Sequence, residues 1–290
     1  MILNNINFEK YHGLGNDYII INDIKYAIPE HSKPKLAKRL CEQHFSIGAD
    51  GLIFVMNSDE ADIRMRIFNN DGSEAEMCGN GIRCFSKFIY ENEIVKKTEI
   101  AIETLNGFQK AKLSIEGDKV RAVEINMGSP TLQCHRIPVD LDVDNCINEK
   151  IVSLDKIFSF TAVSMGNPHA VIFIEEILND NDLNKYGSNI ESKKIFPNKI
   201  NVEFVKVISS TECKMRVFER GVGITNSCGT GSCATVVAGC ILGIFDRDTP
   251  VIVRNDGGDL SITYSDQGDV LMEGPIENVF HGTIDKLEII

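Results

Sequence analysis

Two stretches of the chain carry a cysteine followed by glycine, one polar residue and a second glycine. They are "FNNDGSEAEMCGNGIRC" at 68–84 and "FERGVGITNSCGTGSC" at 218–233. Each cysteine, Cys78 or Cys228, lies ten residues after a phenylalanine. A thiol can take up and deliver a proton, and glycine lets a ligand approach the backbone closely. The two stretches therefore indicate two copies of a loop suited to acid/base chemistry.

Each cysteine stands directly before a predicted helix. The helical segments are "NGIRCFSKFIYENEI" from Asn80 and "TGSCATVVAGCILGIF" from Thr230. The first turn of a helix leaves backbone N–H groups without partners and carries the positive end of the helix dipole. An anion can bind there, and a cysteine there is expected to have a lowered pKa and a sizeable thiolate fraction. Each loop is thus predicted to combine a carboxylate cradle with an activated thiol.

Two such loops, facing each other across an interdomain cleft, would place one sulfur on each side of the carbon beside a bound carboxylate. One thiolate could remove a proton from one face while the opposite thiol delivers a proton to the other face. The converging N–H groups would stabilise the enolate-like intermediate. This arrangement favours inversion of a stereocentre by two bases.

The chain contains an internal duplication at an offset of 150 residues. The offset aligns "DIRMRIFNNDG" at 62–72 with "ECKMRVFERGV" at 212–222, the two cysteine loops with each other, and the "NG" at 106–107 with the "DG" at 256–257. A repeat of this length is typical of two homologous domains related by a pseudo-twofold axis rather than of a solenoid.

Short alternating segments rich in β-branched residues predict many strands and few helices. The helix predicted from Thr230 has no charged residue over sixteen positions, so we expect it to lie in a core, wrapped by a curved sheet. The predicted fold is α+β, with two pseudo-symmetric domains that are each a barrel-like mixed sheet around a central hydrophobic helix. The domains are predicted at 1–127 plus 276–290 and at 128–275, because the final "VFHGTIDKLEII" is expected to return to the first domain as a strand.

Composition excludes several classes of function. The formal net charge of −12 and the lack of a basic cluster argue against a nucleic-acid partner. No apolar run is long enough to span a membrane and no signal peptide is evident, so a cytoplasmic location is expected. The nine cysteines are irregularly spaced without a C-x-x-C pair, which argues against a disulfide framework or a four-cysteine zinc site. Cys41, Cys134, Cys146 and Cys213 lie in no motif and are expected to be buried structural thiols.

With these residues in view, the chain resembles the diaminopimelate epimerase family of pyridoxal-independent amino acid racemases and epimerases. The motifs that carry the resemblance run nearly from end to end: "FEKYHGLGNDY", "GADGL", "NNDGSEAEMCGNGIRC", "MGNPH", "NVEF", "FERGVG", "CGTGSCA" and "MEGPIENVFHG". The resemblance implies an isomerase that needs no cofactor or metal and interconverts LL- and meso-2,6-diaminopimelate, a small-molecule amino acid substrate. It also implies a homodimer.

The resemblance further implies roles for individual residues. Cys78 and Cys228 match the two acid/base residues, and His169 and Glu219 match the residues that set the protonation of the thiols. The positions that match N–H donors to the reacting carboxylate are Gly79, Asn80, Gly229 and Thr230. The positions that match contacts to the rest of the substrate are Asn16, Asn69, Asn167, Asn201 and Arg220. Arg220 offers a planar fork suited to the distal carboxylate, for which a buried cation is expected.

Local sequence alone leaves simpler roles open for these residues. Asparagine beside glycine is common in turns, His169 could be a core histidine, and the adjacent Glu219 and Arg220 could be a solvated charge pair. The chain also departs from the family pattern at Ile224, where an acidic residue is usual, and at Lys193 and Lys199. These departures leave open a racemase of the same mechanism that acts on another amino acid.

Two functions of a different kind also remain open. One is a non-enzymatic thiol protein that binds metal or responds to redox state, and the other is an isomerase of the same fold with carboxylate bases. The presence of both Cys78 and Cys228 argues against the second.

Overall fold

The computed structural model describes residues 2–75 and 79–288. The strands of this part of the chain are β1 Ile2–Gly13, β2 Asn16–Asn22, β3 Gly51–Met56, β4 Ile63–Asn69, β5 Glu74–Ala75, β6 Glu99–Thr104, β7 Gly107–Glu116, β8 Lys119–Asn126, β9 Glu149–Ser153, β10 Lys156–Ser164, β11 Pro168–Phe173, β12 Asn201–Ser209, β13 Glu212–Glu219, β14 Gly223–Thr225, β15 Val251–Asn255, β16 Gly258–Tyr264, β17 Val270–Pro275 and β18 Glu277–Glu288. The α-helices are α1 Asp23–Tyr26, α2 Lys33–Cys41, α3 Gly79–Glu91, α4 Asp180–Glu191 and α5 Gly229–Ile241.

The chain divides into two compact units. Unit 1 comprises residues 1–125 and 274–290, and unit 2 comprises residues 126–273. Strand β18 pairs antiparallel with β1 in unit 1, so the strand predicted for the end of the chain is confirmed over its described part. The domain boundaries predicted from the sequence stay a prediction.

The sheet of unit 1 mixes parallel and antiparallel pairs. Strand β1 pairs antiparallel with β2, β2 parallel with β3, and β3 antiparallel with β4. Strand β4 then pairs antiparallel with the short β5 and parallel with β6, and β6–β7 and β7–β8 are antiparallel. Strand β2 is buried at Ile19, Ile20 and Ile21 in succession, as expected for a strand covered on both faces.

Unit 2 repeats this order of pairings strand for strand. The pairs β10–β11, β11–β12 and β12–β13 are antiparallel, parallel and antiparallel. The pairs β13–β14, β13–β15, β15–β16 and β16–β17 are antiparallel, parallel, antiparallel and antiparallel. Strand β9 adds to β10 as β18 adds to β1. The duplication seen in the sequence is therefore also a duplication of topology, and the α+β fold class is confirmed.

A hydrophobic helix lies within each sheet. Helix α5 contacts β10, β11, β12 and β16, and α3 contacts β1, β2, β3, β4 and β7. Because strands from distant parts of each sheet touch the same helix, each sheet curves around its helix. In α5 the residues from Gly231 to Gly239 are all buried, which agrees with the charge-free sequence. None of the helices in the described ranges is long and apolar enough to cross a membrane.

Both central helices end earlier than predicted, and for the same reason. Helix α5 was expected to reach Phe245 but ends at Ile241, because Gly243 adopts a left-handed conformation with φ +71°. The N–H groups of Ile244 and Gly243 donate to the carbonyls of Gly239 and Cys240, which is the Schellman pattern of a helix end.

Three further helices, α1, α2 and α4, were not predicted from the sequence. Helices α2 and α4 cover the second face of each sheet, α2 against β3 and β4 and α4 against β12 and β13. Their sequences, "KPKLAKRLC" and "DNDLNKYGSNIE", are short and polar on one side, which makes the helical period hard to recognise.

The expectation that Cys134 and Cys146 are unpaired thiols is wrong, since the structure joins them by a disulfide. A short bridge between Gln133 and Asn145 aligns the two segments, and Cys134 N–H donates to the Asp144 carbonyl at 2.9 Å. These contacts bring the two Cα atoms to 5.6 Å, within the range that a disulfide can span. The irregular spacing of the cysteines could not reveal this pairing.

Candidate active site

Cys228 caps the N-terminus of α5 with its own side chain. Its backbone is extended, at φ −130° and ψ 111°, and its Sγ accepts a hydrogen bond from the Gly231 N–H at 3.4 Å. Gly229 and Thr230 are the first two residues of the helix, positions whose N–H groups have no partner within the helix itself. The thiol and the two N–H groups thus share one helix start.

The lowered pKa expected for Cys228 is wrong for this structure. Burial raises the pKa of the Cys228 thiol, and the carboxylates of Glu219 and Glu203 raise it further. The hydrogen bonds from Thr230 and from the Gly231 N–H act in the opposite direction but are weaker. Loss of water and nearby negative charge therefore outweigh the helix terminus, and Cys228 is a neutral thiol here.

His169 lies within a chain of side-chain hydrogen bonds that leads to the thiol. It is fully buried on β11, and its Nε2 lies 2.9 Å from Oδ1 of Asn167. The Asn167 Nδ2 donates to Oγ1 of Thr230 at 3.2 Å, and that oxygen lies 3.5 Å from Sγ of Cys228. The structure therefore brings His169, Asn167, Thr230 and Cys228 together, and the roles that the resemblance implies for them stay predictions.

Glu203 completes this cluster and was not among the predicted site residues. Its Oε1 lies 2.7 Å from Nδ1 of His169, and both side chains are fully buried. The pairing follows from the parallel register of β11 and β12, in which His169 aligns with Asn201 and Val171 with Glu203. The sequence does hold a signal, because Glu203 stands inside the apolar strand "NVEFV", where an unpaired charge is not tolerated.

The second glycine of the motif makes room for this carboxylate. A β-carbon at Gly231 would lie 2.7 Å from Oε1 of Glu203 and 3.2 Å from Sγ of Cys228. Contacts of 2.7 Å force a neighbour to move, so only glycine fits between the carboxylate and the sulfur. Gly231 is therefore required by packing within the site, in addition to any role in ligand approach.

Glu219 stands at the end of β13 beside the same cluster. Burial raises the pKa of its carboxyl, and the charge of Glu203 adds to this effect. Thr225 donates a hydrogen bond to Oε1 of Glu219 at 2.5 Å. This contact comes from β14, where Ile224 is partly exposed next to it, so a threonine hydroxyl holds Glu219 in the segment that lacks the usual acidic residue.

Asn201 and Arg220 are linked through the backbone. The Asn201 side chain donates to the Pro168 carbonyl at 2.8 Å and accepts from the Arg220 N–H at 2.9 Å. The expectation of a buried cation at Arg220 is wrong for this structure, because the residue is exposed and its guanidinium donates to the Asn198 carbonyl at 3.3 Å. Arg220 directly follows the end of β13, so its side chain reaches solvent unless a ligand covers it.

In unit 1, a side-chain hydrogen bond joins Asn16 and Asn80, and Asn69 donates a hydrogen bond within its own turn. The Asn80 side chain donates to Oδ1 of Asn16 at 3.3 Å, and Asn16 donates to Asp50 at 2.7 Å. Asn69 is exposed and donates to Ser73 at 2.9 Å.

The first cysteine loop is only partly described. Gly79 is the first residue of α3, one position before the predicted start of this helix at Asn80. Cys78 lies outside the described residues, so its predicted role stays a prediction.

One group of three side chains could bind a metal ion among the residues that the structure describes. The donor atoms of His169, Glu203 and Cys228 all lie within 4.8 Å of one another, and all three residues are buried. A nitrogen, an oxygen and a sulfur form a donor set that Zn²⁺ accepts. The same three groups are also those that can hold and transfer protons in this site.

Comparison with known proteins is consistent from sequence to fold. The model of the family described as "Diaminopimelate epimerase" matches residues 8–133 and 161–279. A diaminopimelate epimerase of Brachyspira hyodysenteriae is 48% identical over 281 residues, which cover 96% of this chain and 99% of that protein. One from Bacillus cytotoxicus is 42% identical over 288 residues, covering 99% of this chain and all of the relative.

Solved structures share the fold at much lower identity. A hydroxyproline epimerase from Agrobacterium vitis superposes with a TM-score of 0.69 at 11% identity, covering 100% of this chain and 93% of that one. A methylitaconate-delta-isomerase superposes with a TM-score of 0.68 at 13% identity, covering 98% and 96%. The duplicated fold and the near full-length match of sequence agree, and the chain belongs to the diaminopimelate epimerase family.

Proposed function

We propose that this chain is a cofactor-independent epimerase that interconverts LL- and meso-2,6-diaminopimelate, a step of lysine and peptidoglycan precursor biosynthesis. The observation that carries the proposal is the position of Cys228, in the Cys-Gly-x-Gly sequence at the start of α5 and inside the range that the family model matches. The sulfur and the first N–H groups of the helix lie side by side there. A carboxylate bound to those N–H groups would therefore have its α-carbon next to the sulfur.

In the proposed reaction Cys78 and Cys228 are the two proton carriers. The Cys78 thiolate removes the α-hydrogen from one face of the carbon and becomes a thiol. The electron pair of the C–H bond moves into the carboxylate, where the N–H groups of the two loops stabilise it. Cys228, which is neutral in this structure, then delivers its proton to the opposite face and becomes a thiolate. The reverse reaction starts from the opposite protonation of the two sulfurs.

The substrate-binding roles are proposals of the same kind. We assign the reacting carboxylate to the N–H groups of Gly79, Asn80, Gly229 and Thr230. Asn16, Asn69, Asn167, Asn201 and Arg220 would hold the distal amino acid group. The exposed guanidinium of Arg220 would then pair with the distal carboxylate, which turns a solvent-facing side chain into a ligand-bound one.

Solvent-deuterium exchange tests the function. The protein is incubated in D₂O with LL-diaminopimelate and with a panel of other amino acids, and loss of the α-hydrogen is followed by NMR. We expect exchange and inversion of diaminopimelate alone. Exchange of a different amino acid in its place would show a racemase of the same mechanism with another substrate.

Single substitutions test the two-base mechanism. We expect Cys78→Ala and Cys228→Ala each to lower kcat for epimerisation by at least about 1,000-fold, because each face of the carbon loses its proton carrier. Cys240→Ala, which removes a partly exposed thiol of the same helix, serves as the control and should keep full activity. Near-complete activity in either of the first two variants would refute the mechanism.

The donor set of His169, Glu203 and Cys228 also favours a second candidate, a zinc-binding thiol protein. That function predicts one equivalent of zinc in protein purified under reducing conditions, measured by mass spectrometry of the metal. The epimerase predicts full exchange activity in protein that holds no metal.

We further propose that the protein is a homodimer, on the strength of the family resemblance, and that it is cytoplasmic, as expected from its sequence. Sedimentation equilibrium should then give twice the chain mass of 32.2 kDa. A mass of one chain at micromolar concentration would rule the dimer out.

A further inference from the structure

Glu203 is a fully buried acidic side chain for which the proposed mechanism has no role. Its Oε1 contacts Nδ1 of His169 at 2.7 Å, while its Oε2 is buried and receives no hydrogen bond from any of the described residues. A buried carboxylate oxygen without a partner costs free energy, so its retention inside an apolar strand calls for a compensating interaction. The contact with His169 is the interaction that the structure offers.

The hydrogen bonds around His169 define where its protons lie. The amide of Asn167 uses its Nδ2 to donate to Thr230, so the oxygen Oδ1 faces Nε2 of His169 at 2.9 Å. Because Oδ1 can only accept, Nε2 must carry a hydrogen. A carboxylate faces Nδ1 on the other side of the ring, and a carboxylate also only accepts. Both ring nitrogens therefore face acceptors, an amide oxygen at Nε2 and a carboxylate at Nδ1, an arrangement that suits a doubly protonated ring.

This pair stands beside the thiol that changes its charge during the reaction. The donor atoms of His169, Glu203 and Cys228 all lie within 4.8 Å of one another. When Cys228 delivers its proton in the proposed reaction, a thiolate forms in a buried site, and an imidazolium at this distance would stabilise it. The carboxylate would in turn stabilise the imidazolium and fix the plane of the ring.

We propose that Glu203 is a positioning residue for the reaction, which holds His169 as a doubly protonated, fixed imidazolium beside Cys228. The proposal rests on the proposed function for its role in catalysis, but the state of the ring can be measured without substrate. Glu203 acts on the reaction through its hydrogen bond with His169, and no contact with substrate is assigned to it. Gly231 belongs to the same arrangement, because a side chain at that position would displace Oε1 of Glu203.

The test compares wild type with Glu203→Gln by NMR of protein labelled with ¹⁵N at its six histidines. The resonances of His169 are assigned from the spectrum of His169→Asn. In wild type we expect both ring nitrogens of His169 to carry hydrogen. In Glu203→Gln the neutral amide can donate to Nδ1, so the ring should become a neutral imidazole with hydrogen on Nε2 alone.

Kinetics of the same variants test the role in the reaction. For Glu203→Gln we expect kcat for diaminopimelate epimerisation to fall by about 10- to 100-fold, the usual effect of removing a group that orients a reactive side chain. We expect KM to change by less than about threefold, because a positioning residue contributes little to binding in the ground state. Glu203→Asp, which keeps the charge, should retain both ring hydrogens and restore part of kcat.

Glu91→Gln is the matched control, because Glu91 is also a largely buried carboxylate but belongs to unit 1, where it pairs with Lys87 at 3.1 Å. It should change neither the His169 resonances nor kcat. A single ring hydrogen on His169 in wild type, or unchanged resonances and unchanged kcat in Glu203→Gln, would overturn the proposal. If wild type fails to epimerise diaminopimelate yet shows the imidazolium, the proposed function fails and the assignment of the pair stands.

Discussion

At the scale of single residues, Cys228 shows how two local effects compete. Its place at a helix start favours a thiolate, since the dipole and the Gly231 N–H both stabilise negative charge on sulfur. Burial and the two nearby carboxylates of Glu219 and Glu203 favour the thiol, and these effects dominate in raising its pKa. A neutral Cys228 fits the acid role in one direction of the proposed reaction.

Alkylation by iodoacetamide checks this protonation state. Because the pKa of Cys228 is raised, its thiolate fraction at a given pH is smaller than the thiolate fraction of a free cysteine. We therefore expect Cys228 in the native, substrate-free protein to react more slowly at pH 8 than the same cysteine in unfolded protein, and to react faster as pH rises. The labelled sites are identified by peptide mass spectrometry.

Two variants separate charge from access in this experiment. Glu219→Gln removes a carboxylate that raises the pKa of Cys228, so alkylation of Cys228 should become faster at the same pH. Arg39→Gln, which changes an exposed charge on α2 in unit 1, should leave the rate unchanged. Equal rates in wild type and Glu219→Gln would show that access alone limits the reaction.

At the scale of elements, the two central helices α3 and α5 end with the same left-handed backbone conformation, but different residues adopt it. Helix α5 ends at Ile241 and α3 at Glu91, and the residues two positions later, Gly243 and Glu93, are 150 residues apart in the duplication. In both, the backbone is left-handed, with φ +71° and +59°. In α3 the Ile94 N–H donates to the Ile89 carbonyl, which repeats the hydrogen bond found in α5.

Because the left-handed residue is Glu93 after α3 but Gly243 after α5, substitutions at the two positions should change the free energy of unfolding in opposite directions. Glu93→Gly should raise the free energy of unfolding by about 1 kcal/mol, because glycine adopts the left-handed conformation without a steric penalty. Gly243→Ala should lower it by about 1 kcal/mol for the same reason. Urea denaturation followed by circular dichroism measures both.

The side chain of Glu93 adds little to this comparison. It is exposed and lies 3.7 Å from Lys96, so the ion pair contributes only about 0.5 kcal/mol or less. Lys96→Gln, which removes that ion pair and keeps the left-handed backbone, is the control. A loss of stability in Glu93→Gly would show that the side chain matters more than the backbone conformation.

At the scale of the whole molecule, each unit has its own core and its own supporting contacts. In unit 1 the packed residues around Ile19, Leu36 and Phe54 join the sheet to α2. In unit 2 the corresponding residues around Ile172, Leu183 and Phe204 join the sheet to α4. The cluster of unit 2 also contains Cys134 and Cys146, so the disulfide ties the loop before β9 to that core.

The disulfide predicts a dependence of stability on redox conditions. Cys134→Ser with Cys146→Ser should lower the free energy of unfolding by about 2–4 kcal/mol, because the crosslink restricts the unfolded chain. The intact mass of non-reduced wild type should be lower by two hydrogens than the mass after reduction. Cys41→Ser, at a buried free cysteine of unit 1, is the control for loss of a buried sulfur and should leave that mass difference in place. Nine free thiols in denatured, non-reduced protein would contradict the pairing.

Much of the fold and part of the site could be predicted before the structure, and particular residues show why. The alignment of the chain with itself at an offset of 150 residues predicted the duplication, and the repeated order of strand pairings confirms it. The helix start behind Cys228 was predicted from its glycines and the charge-free segment that follows. Helices α2 and α4 were missed because their apolar faces are narrow, and their packing on the sheet stabilises them more than local propensity does.

By itself, the sequence determined the chemistry that is available: two thiols directly before two predicted helices, the duplicated fold and the family. Those properties are local or periodic, so they can be recognised in the order of residues. Only the tertiary structure decided that Glu203 reaches His169, that Gly231 must leave room for that carboxylate, that Cys134 pairs with Cys146, and that Cys228 is neutral. Burial and contacts between distant segments set these properties, and neither can be recognised from the order of residues along the chain.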